Sequence, residues 1–344
     1  MPYPRVESGP KETSMNGQDA THSIDRFSFE NGGVLDTMKV AYSTFGALNA
    51  ARDNTIVLLP GTSQLRQYAV PHIGPAKTFD TNRYFVVTVD AIGGGGSSQP
   101  KDGLGTAFPK YTIRDMVAAQ HDLVTRGLGL TRLHAVGGNS MGAFQAIEWG
   151  VTHPGFMRGL SLWVPAARSD AHFQAIADAM AGTLTLDAGY RDGAYTVNPV
   201  EGIRRAILVY FPWVTTDAYL RTLTTPDAYE QARAAFAGPR ATAWDANSIL
   251  WRYHASRHHD VSKPYGHDMA AALARVTARA LIIAGQDDRT IPAYLTREMY
   301  EGLADAVWAE VPSDQGHLST GQPPGTREYA FVSHHTKAFL EGLA

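Results

Sequence analysis

With 344 residues, 44% of them hydrophobic and 18% charged, the chain suits one large α/β domain with an insertion, or two small domains. A formal net charge of −3 leaves no footprint for a polyanion, which excludes nucleic acid as an expected partner, and the absence of cysteine excludes disulfides, thiolate catalysis and cysteine zinc sites. No apolar run approaches the roughly 20 residues that span a bilayer, and Met1 to Thr21 lacks an apolar signal segment, so a soluble cytoplasmic protein is expected.

Residues 1–20 read as a flexible polar arm, rich in Pro, Gly and Ser. Phe27-Ser28-Phe29-Glu30 alternates, Asn31-Gly32-Gly33 marks a turn, and Met38 to Phe45 alternates again, which predicts an antiparallel hairpin. Thr55 to Leu59 is a continuous apolar run, as a strand buried on both faces requires, and it stops at the turn Pro60-Gly61-Thr62-Ser63. A second buried strand, Tyr84 to Val89, ends at Asp90 and the run Gly93 to Gly96. Thr112 is placed to cap a helix that carries Asp115 at its third position. Leu133 to Val136 and Gly159 to Val164 are further strands, so the pattern is that of a mostly parallel sheet flanked by helices. From 166 to 271 the strand rhythm gives way to helical spacing at Phe173 to Met180, Gly202 to Tyr210, Ala228 to Phe236 and Ala246 to His254, which predicts a helical cap. Strands return at Arg279 to Ala284 and Ala306 to Val311, before a helix from about Glu328 to Leu343; the core is thus expected in 21–165 and 272–344.

Chemistry gathers around Gly138-Asn139-Ser140-Met141-Gly142, a serine between small residues where a strand passes into a helix. This fits a nucleophile elbow, in which a strained backbone exposes the hydroxyl and a Cβ two residues to either side would collide with neighbouring chain. A serine hydroxyl needs a base, and the base needs an acid to fix its tautomer. The loop after the strand at Arg279 to Ala284 offers Asp287 and Asp288 as that acid, and His317 follows Gly316 just beyond the last strand. Two backbone N–H donors for an oxyanion are expected from Met141, after the serine, and from Thr62, after the early strand.

With these residues the chain resembles a known family. It resembles the homoserine O-acetyltransferases of the α/β-hydrolase superfamily through Gly74 to Val87, Phe108-Pro109, Thr112 to Gln120, and the elbow with Gln145 to Trp149. The resemblance implies an α/β-hydrolase fold with a helical cap, no cofactor, no metal, and a homodimer through the cap helices. The superfamily form Gly-x-x-Asp-x-x-x-Pro favours Asp288 over Asp287 as the acid, so Ser140, Asp288 and His317 are the expected catalytic residues. Three departures separate the chain from the acetyltransferases. Leu318 stands where the family has an Asp thought to hold the homoserine amine, and an apolar side chain cannot compensate an ammonium. Arg204 and Arg205 are out of register with the family's carboxylate-binding arginine, and Ser63-Gln64-Leu65-Arg66 replaces a Gly-Asp-x-His segment. The departures imply an esterase-like member that passes the acyl group of a small ester to water. The run Gly93 to Gly96 lacks the Lys-Ser/Thr of a phosphate loop. His254, His258, His259 and Asp260 read as surface structure, and Trp163, Trp213, Trp251 and Tyr210 read as core aromatics with a pocket-lining role as the alternative.

Overall fold

The computed structural model describes residues 17–343. Its frame is an eight-stranded sheet built from β1 (Gln18–Ser28), β2 (Val34–Phe45), β3 (Thr55–Leu59), β4 (Phe85–Val89), β5 (Leu133–Asn139), β6 (Met157–Trp163), β7 (Arg279–Gly285) and β8 (Ala306–Val311), in the order β1-β2-β4-β3-β5-β6-β7-β8. The strands from β4 to β8 are parallel, and the β1–β2 hairpin joins antiparallel through β2 and β4. Every residue of β3 and β5 is buried, which is why these strands carry apolar runs without alternation.

The hairpin begins earlier than expected. Gln18, Asp19 and Ala20 pair with Thr44, Ser43 and Tyr42, so the arm drawn over 1–20 is corrected at its end, and residues 1–16 lie outside the described residues. The reason is that β1 is an edge strand exposed along most of its length. Only Ile24 and Phe27 are buried in it, and backbone pairing of polar residues leaves no trace in hydropathy.

One face of the sheet is covered by α1 (Ile113–Asp122), α2 (Met141–Thr152) and α9 (Ala293–Gly302), with Met116, Trp149, Leu295 and Met299 in the shared core. The other face packs on α10 (Arg327–Glu341) through Phe339 and Leu340. α1 starts with a capping box, since Thr112 Oγ1 accepts from the Asp115 N–H at 3.2 Å and Asp115 Oδ2 accepts from the Thr112 N–H at 2.8 Å. Such a cap contributes about 1 kcal/mol.

Between β6 and β7 the chain forms α3 (Ala171–Thr185), α4 (Val200–Val214), α5 (Asp217–Thr222), α6 (Pro226–Ala243), α7 (Ala246–Arg257) and α8 (Met269–Leu273). Ile203, Ile207, Phe211, Phe236, Trp244 and Tyr253 give α3 to α7 an apolar core of their own. The boundary drawn at 271/272 falls inside α8, whose Ala272 and Leu273 belong to the main core. No helix among the described residues is long and apolar enough to cross a membrane.

Topology decides where a site can form. From β3 the chain crosses to β4 on one side, and β5 then lies against β3 on the other. The loops leaving β3 and β5 therefore part at the carboxyl end of the sheet, where Leu59 pairs with Gly138, and a crevice opens at such a switch point.

Candidate active site

Ser140 sits between β5 and α2 with φ 55° and ψ −120°, a positive φ that a β-carbon disfavours. The turn is this sharp because its flanking glycines admit neighbouring backbone. A Cβ on Gly138 would lie 2.2 Å from the Gly142 carbonyl, and one on Gly142 would lie 1.9 Å from the Leu59 oxygen. The Ser140 N–H donates to the Trp163 carbonyl at 2.9 Å, and the Ser140 carbonyl accepts from Ala143 and Phe144, which starts the helix.

Two loops from distant sequence meet the hydroxyl. His317, in the turn Gly316–Gly321 after β8, lies with Nε2 2.9 Å from Ser140 Oγ, and its Nδ1 lies 2.7 Å from Asp288 Oδ2. A carboxylate only accepts, so Nδ1 carries the ring proton and Nε2 is left as acceptor for the serine O–H. Asp288 is itself oriented, since its Oδ1 accepts from the N–H of Thr290 at 2.8 Å and of Ile291 at 2.9 Å. Asp287 has φ 52° and faces solvent, so between the two neighbours the structure brings Asp288 to the histidine. His317 and Asp288 are buried while Ser140 is partly exposed, so the hydroxyl is reachable and the pair behind it is shielded.

The expected oxyanion donors come from the residue after Ser140 and from the turn after β3. Among the described residues the N–H groups of Thr62 and Met141 donate to no other group. The loop bearing Thr62 lies against the elbow, with a Cβ on Gly61 3.1 Å from the Asn139 oxygen.

A model of the α/β hydrolase fold matches residues 54–321. A homoserine O-acetyltransferase of Leifsonia xyli is 33% identical, with 88% of this chain and 84% of the relative covered. The chain belongs to the homoserine O-acetyltransferase branch of the α/β-hydrolase family. A second relative, the "probable esterase" of Corynebacterium glutamicum, is 30% identical over 81% of this chain and 83% of its own length. Among solved structures, an acetylester hydrolase from Corynebacterium glutamicum superposes with a TM-score of 0.89 at 26% identity, covering 94% of this chain and 96% of that one.

The residues of this α/β-hydrolase that differ from the acetyltransferase pattern have structural places of their own. Leu318 packs into the apolar cluster of the α3–α7 helices instead of presenting a carboxylate beside His317. Arg204 and Arg205 face solvent in ion pairs with Glu201 and Asp187, while Ile203, Ala206 and Ile207 form the buried side of α4. Leu65, in the replaced segment, joins the same apolar cluster. Arg66 binds Asp90 and donates to Ser43 Oγ at 2.9 Å.

Of the four aromatics singled out, Trp251 is main core, its Nε1–H donating to the Phe108 carbonyl at 2.9 Å. Trp163 lines a cavity of about 300 Å³ with Tyr68, His72 and Asn139. Trp213 packs edge-on against His172, with ring centroids 5.3 Å apart. Tyr210 lies near the acid, and burial followed by Tyr253 and Asp288 pushes its phenol well above the ordinary value. The surface reading of the histidine group is corrected at His259. That ring is 3% exposed, stacks on Phe144 at 4.4 Å and bonds the Ala166 carbonyl at 3.0 Å, because the chain turns inward after α7 to pair Ser169 with His259. Burial holds its pKa down to about 4. Among the described residues no group of three or more His, Cys, Asp or Glu side chains is placed to hold a metal ion.

A polar relay beneath the elbow was not anticipated. The Trp149 Nε1–H donates to Gln120 Oε1 at 2.9 Å, Gln120 donates to Gln145 Oε1 at 2.6 Å, and Gln145 Nε2 reaches the Pro60 and Met141 carbonyls at 3.2 and 3.1 Å. On the other side Thr320 donates to Asn139 Oδ1 at 2.8 Å, and Gln64 Oε1 accepts from the Gly61 N–H at 2.8 Å and from Asn139 at 3.3 Å. The one available signal was glutamine recurring at apolar helical positions, where buried amides must find partners.

Proposed function

We propose that this protein hydrolyses short-chain acyl esters, acetate esters above all, through a serine acyl-enzyme. The observation that carries the reading is Leu318 next to His317, packed into an apolar cluster, with the α4 arginines turned to solvent. Leu318 offers no carboxylate to an amino-acid ammonium, and Arg204 and Arg205 are turned away from the carboxylate of such a substrate, which suits a small uncharged ester.

His317 Nε2 takes the proton of Ser140 Oγ as the oxygen attacks the ester carbonyl. The oxygen's negative charge develops toward the N–H groups of Thr62 and Met141. The imidazolium, stabilised through Nδ1–H by Asp288, gives its proton to the departing alkoxide, which leaves as the alcohol. Water enters, His317 takes its proton, and hydroxide attacks the acyl-enzyme; collapse of the second tetrahedral adduct returns the proton to Ser140 Oγ and releases the acid. No step calls on a cofactor or a metal.

A second reading, acetyl transfer from acetyl-CoA to homoserine or another alcohol, uses the same acyl-enzyme with a different acceptor, and the Leifsonia xyli relative favours it. The test is p-nitrophenyl acetate against acetyl-CoA with homoserine. Hydrolysis of the ester, lost in Ser140→Ala, supports the proposal; thiol release that requires homoserine, with negligible ester hydrolysis, overturns it for the second reading. A hydrolase-fold binding protein without catalysis would leave Ser140 unlabelled by a fluorophosphonate. We also place the protein in the cytoplasm as a homodimer through the helices between β6 and β7. Exposed Leu186, Val197 and Val200 on that part support the dimer, and sedimentation velocity tests it.

A further inference from the structure

Arg252 is a full charge at zero exposure in the middle of α7, and the steps above give it no role. Its Nε donates to the Thr62 carbonyl at 2.6 Å, and its Nη2 donates to the Gly61 carbonyl at 2.6 Å and the Gln64 carbonyl at 3.1 Å. Among the described residues no carboxylate is hydrogen-bonded to it. Asp90 favours its charge through space, yet takes its own hydrogen bonds from Arg66 and Gly96. The guanidinium lies 4.9 Å from the Trp244 ring centre, and among the described residues Nη1 has no hydrogen-bond partner. Burying a cation without a counter-ion is costly, so something other than packing retains it here.

Peptide geometry supplies the reason. In a planar trans peptide the C=O of one residue and the N–H of the next point in opposite directions. Holding the Gly61 oxygen on the Arg252 side therefore aims the Thr62 N–H the other way, into the crevice. The 60–64 segment belongs to neither a strand nor a regular helix; one backbone bond closes its turn, from the Gln64 N–H to the Gly61 oxygen at 3.1 Å, and side chains hold the rest: Gln145 on Pro60 O, Gln64 on Gly61 N–H, and Arg252 on the Gly61, Thr62 and Gln64 carbonyls. Ser256, one turn further along α7, also lies 3.2 Å from Thr62 Oγ1. A charge bonded to the Gly61 oxygen additionally polarises the peptide whose N–H faces the substrate.

We infer that Arg252 is a positioning residue for the oxyanion hole, lent by the inserted helices to the core, which aims the Thr62 N–H and adds an unneutralised positive charge behind it. The inference rests on the proposed hydrolysis and deepens it. It also accounts for one glycine of the run after β4: a Cβ on Gly94 would lie 2.8 Å from Arg252 Nη1 and 2.9 Å from the Trp244 ring, so that position stays bare to admit the guanidinium. Burial lowers the Arg252 pKa to about 10, which leaves it charged at neutral pH.

The test compares wild type, Arg252→Gln, Arg252→Lys and Gly94→Ala on p-nitrophenyl acetate, with binding of a trifluoromethyl ketone, whose serine adduct carries the oxyanion. For Arg252→Gln the expected result is a loss of about 10²-fold in kcat with KM within about threefold, and a parallel loss of ketone affinity. Arg252→Lys, which keeps the charge but loses the fork, is expected to recover about tenfold of that loss. Gly94→Ala retains the arginine and pushes it off the loop, so it decides the matter if the Arg252 variants do not fold; a loss of about fivefold or more in kcat at unchanged KM is expected. Variants that melt earlier but keep kcat and ketone affinity within twofold of wild type overturn the inference and leave the hydrolase reading intact. A wild type without esterase activity and unlabelled at Ser140 overturns the reading itself.

Discussion

Replacing Asp288 by asparagine isolates the role of one proton. Oδ1 of Asp288 is held by two backbone N–H groups, from Thr290 at 2.8 Å and Ile291 at 2.9 Å, while Oδ2 takes the His317 Nδ1–H. In Asp288→Asn the amide oxygen stays with the two N–H donors and the NH₂ group faces Nδ1. The imidazole must then accept at Nδ1 and carry its proton on Nε2, where it cannot take the proton of Ser140. Turning the amide over restores the useful tautomer but sets its NH₂ against two N–H groups, leaving both unsatisfied at about 1–3 kcal/mol each. The turned form is therefore disfavoured by about 2–6 kcal/mol, a population between roughly one in 30 and one in 10⁴. Turnover should fall in that range, while both backbone hydrogen bonds survive and unfolding free energy changes by no more than about 2 kcal/mol. The assay is kcat on p-nitrophenyl acetate beside a denaturant melt. A variant that folds normally and keeps more than about a tenth of wild-type kcat would refute the tautomer argument.

Gly142→Ala puts a methyl 1.9 Å from the Leu59 oxygen and 2.7 Å from its carbon, so strand β3 and the elbow must separate. Overpacking of about 1–3 kcal/mol and a roughly 10²-fold loss of kcat should follow as the Met141 N–H shifts, read by melting and by the rate of fluorophosphonate labelling. Burial lowers the His259 pKa to about 4, below the ordinary value of 6.5, so the unfolded chain binds the proton first and stability falls as pH drops through that window. Between about pH 7 and about pH 5 that group should account for about 2 kcal/mol of lost stability, and His259→Phe, which keeps the stack on Phe144, should remove that share and leave the fall due to His72, His153 and His254, which burial also holds down to about 4. Leu318→Asp sets a carboxylate into the apolar cluster of the inserted helices, so a drop of about 1–3 kcal/mol in stability and slower acetate-ester turnover are expected; unchanged melting would show that the Leu318 packing contributes nothing.

Much of this protein was legible in one dimension because its chemistry sits on short local patterns. β3 and β8 were read at their observed limits, β3 because a continuous apolar run and sharp turn residues are written side by side in sequence. The elbow was equally plain, because the glycines at 138 and 142 answer to contacts within a few residues and with one neighbouring strand. β1 was under-read, because an exposed edge strand is held by backbone pairing that hydropathy does not record.

What remained was a matter of long-range geometry. Asp288 rather than Asp287 faces His317 because a single residue in the left-handed region turns the neighbouring side chain away, a choice that the residues alone left open. His259 is buried because a returning backbone covers it, and Arg252 is buried because three carbonyls of a loop 188 to 191 residues earlier converge on it. Sequence determines which groups are available and the local backbone that presents them; which of them share a low-dielectric pocket is decided only when distant segments pack, since the energy of a buried charge or proton depends on neighbours that no local window contains.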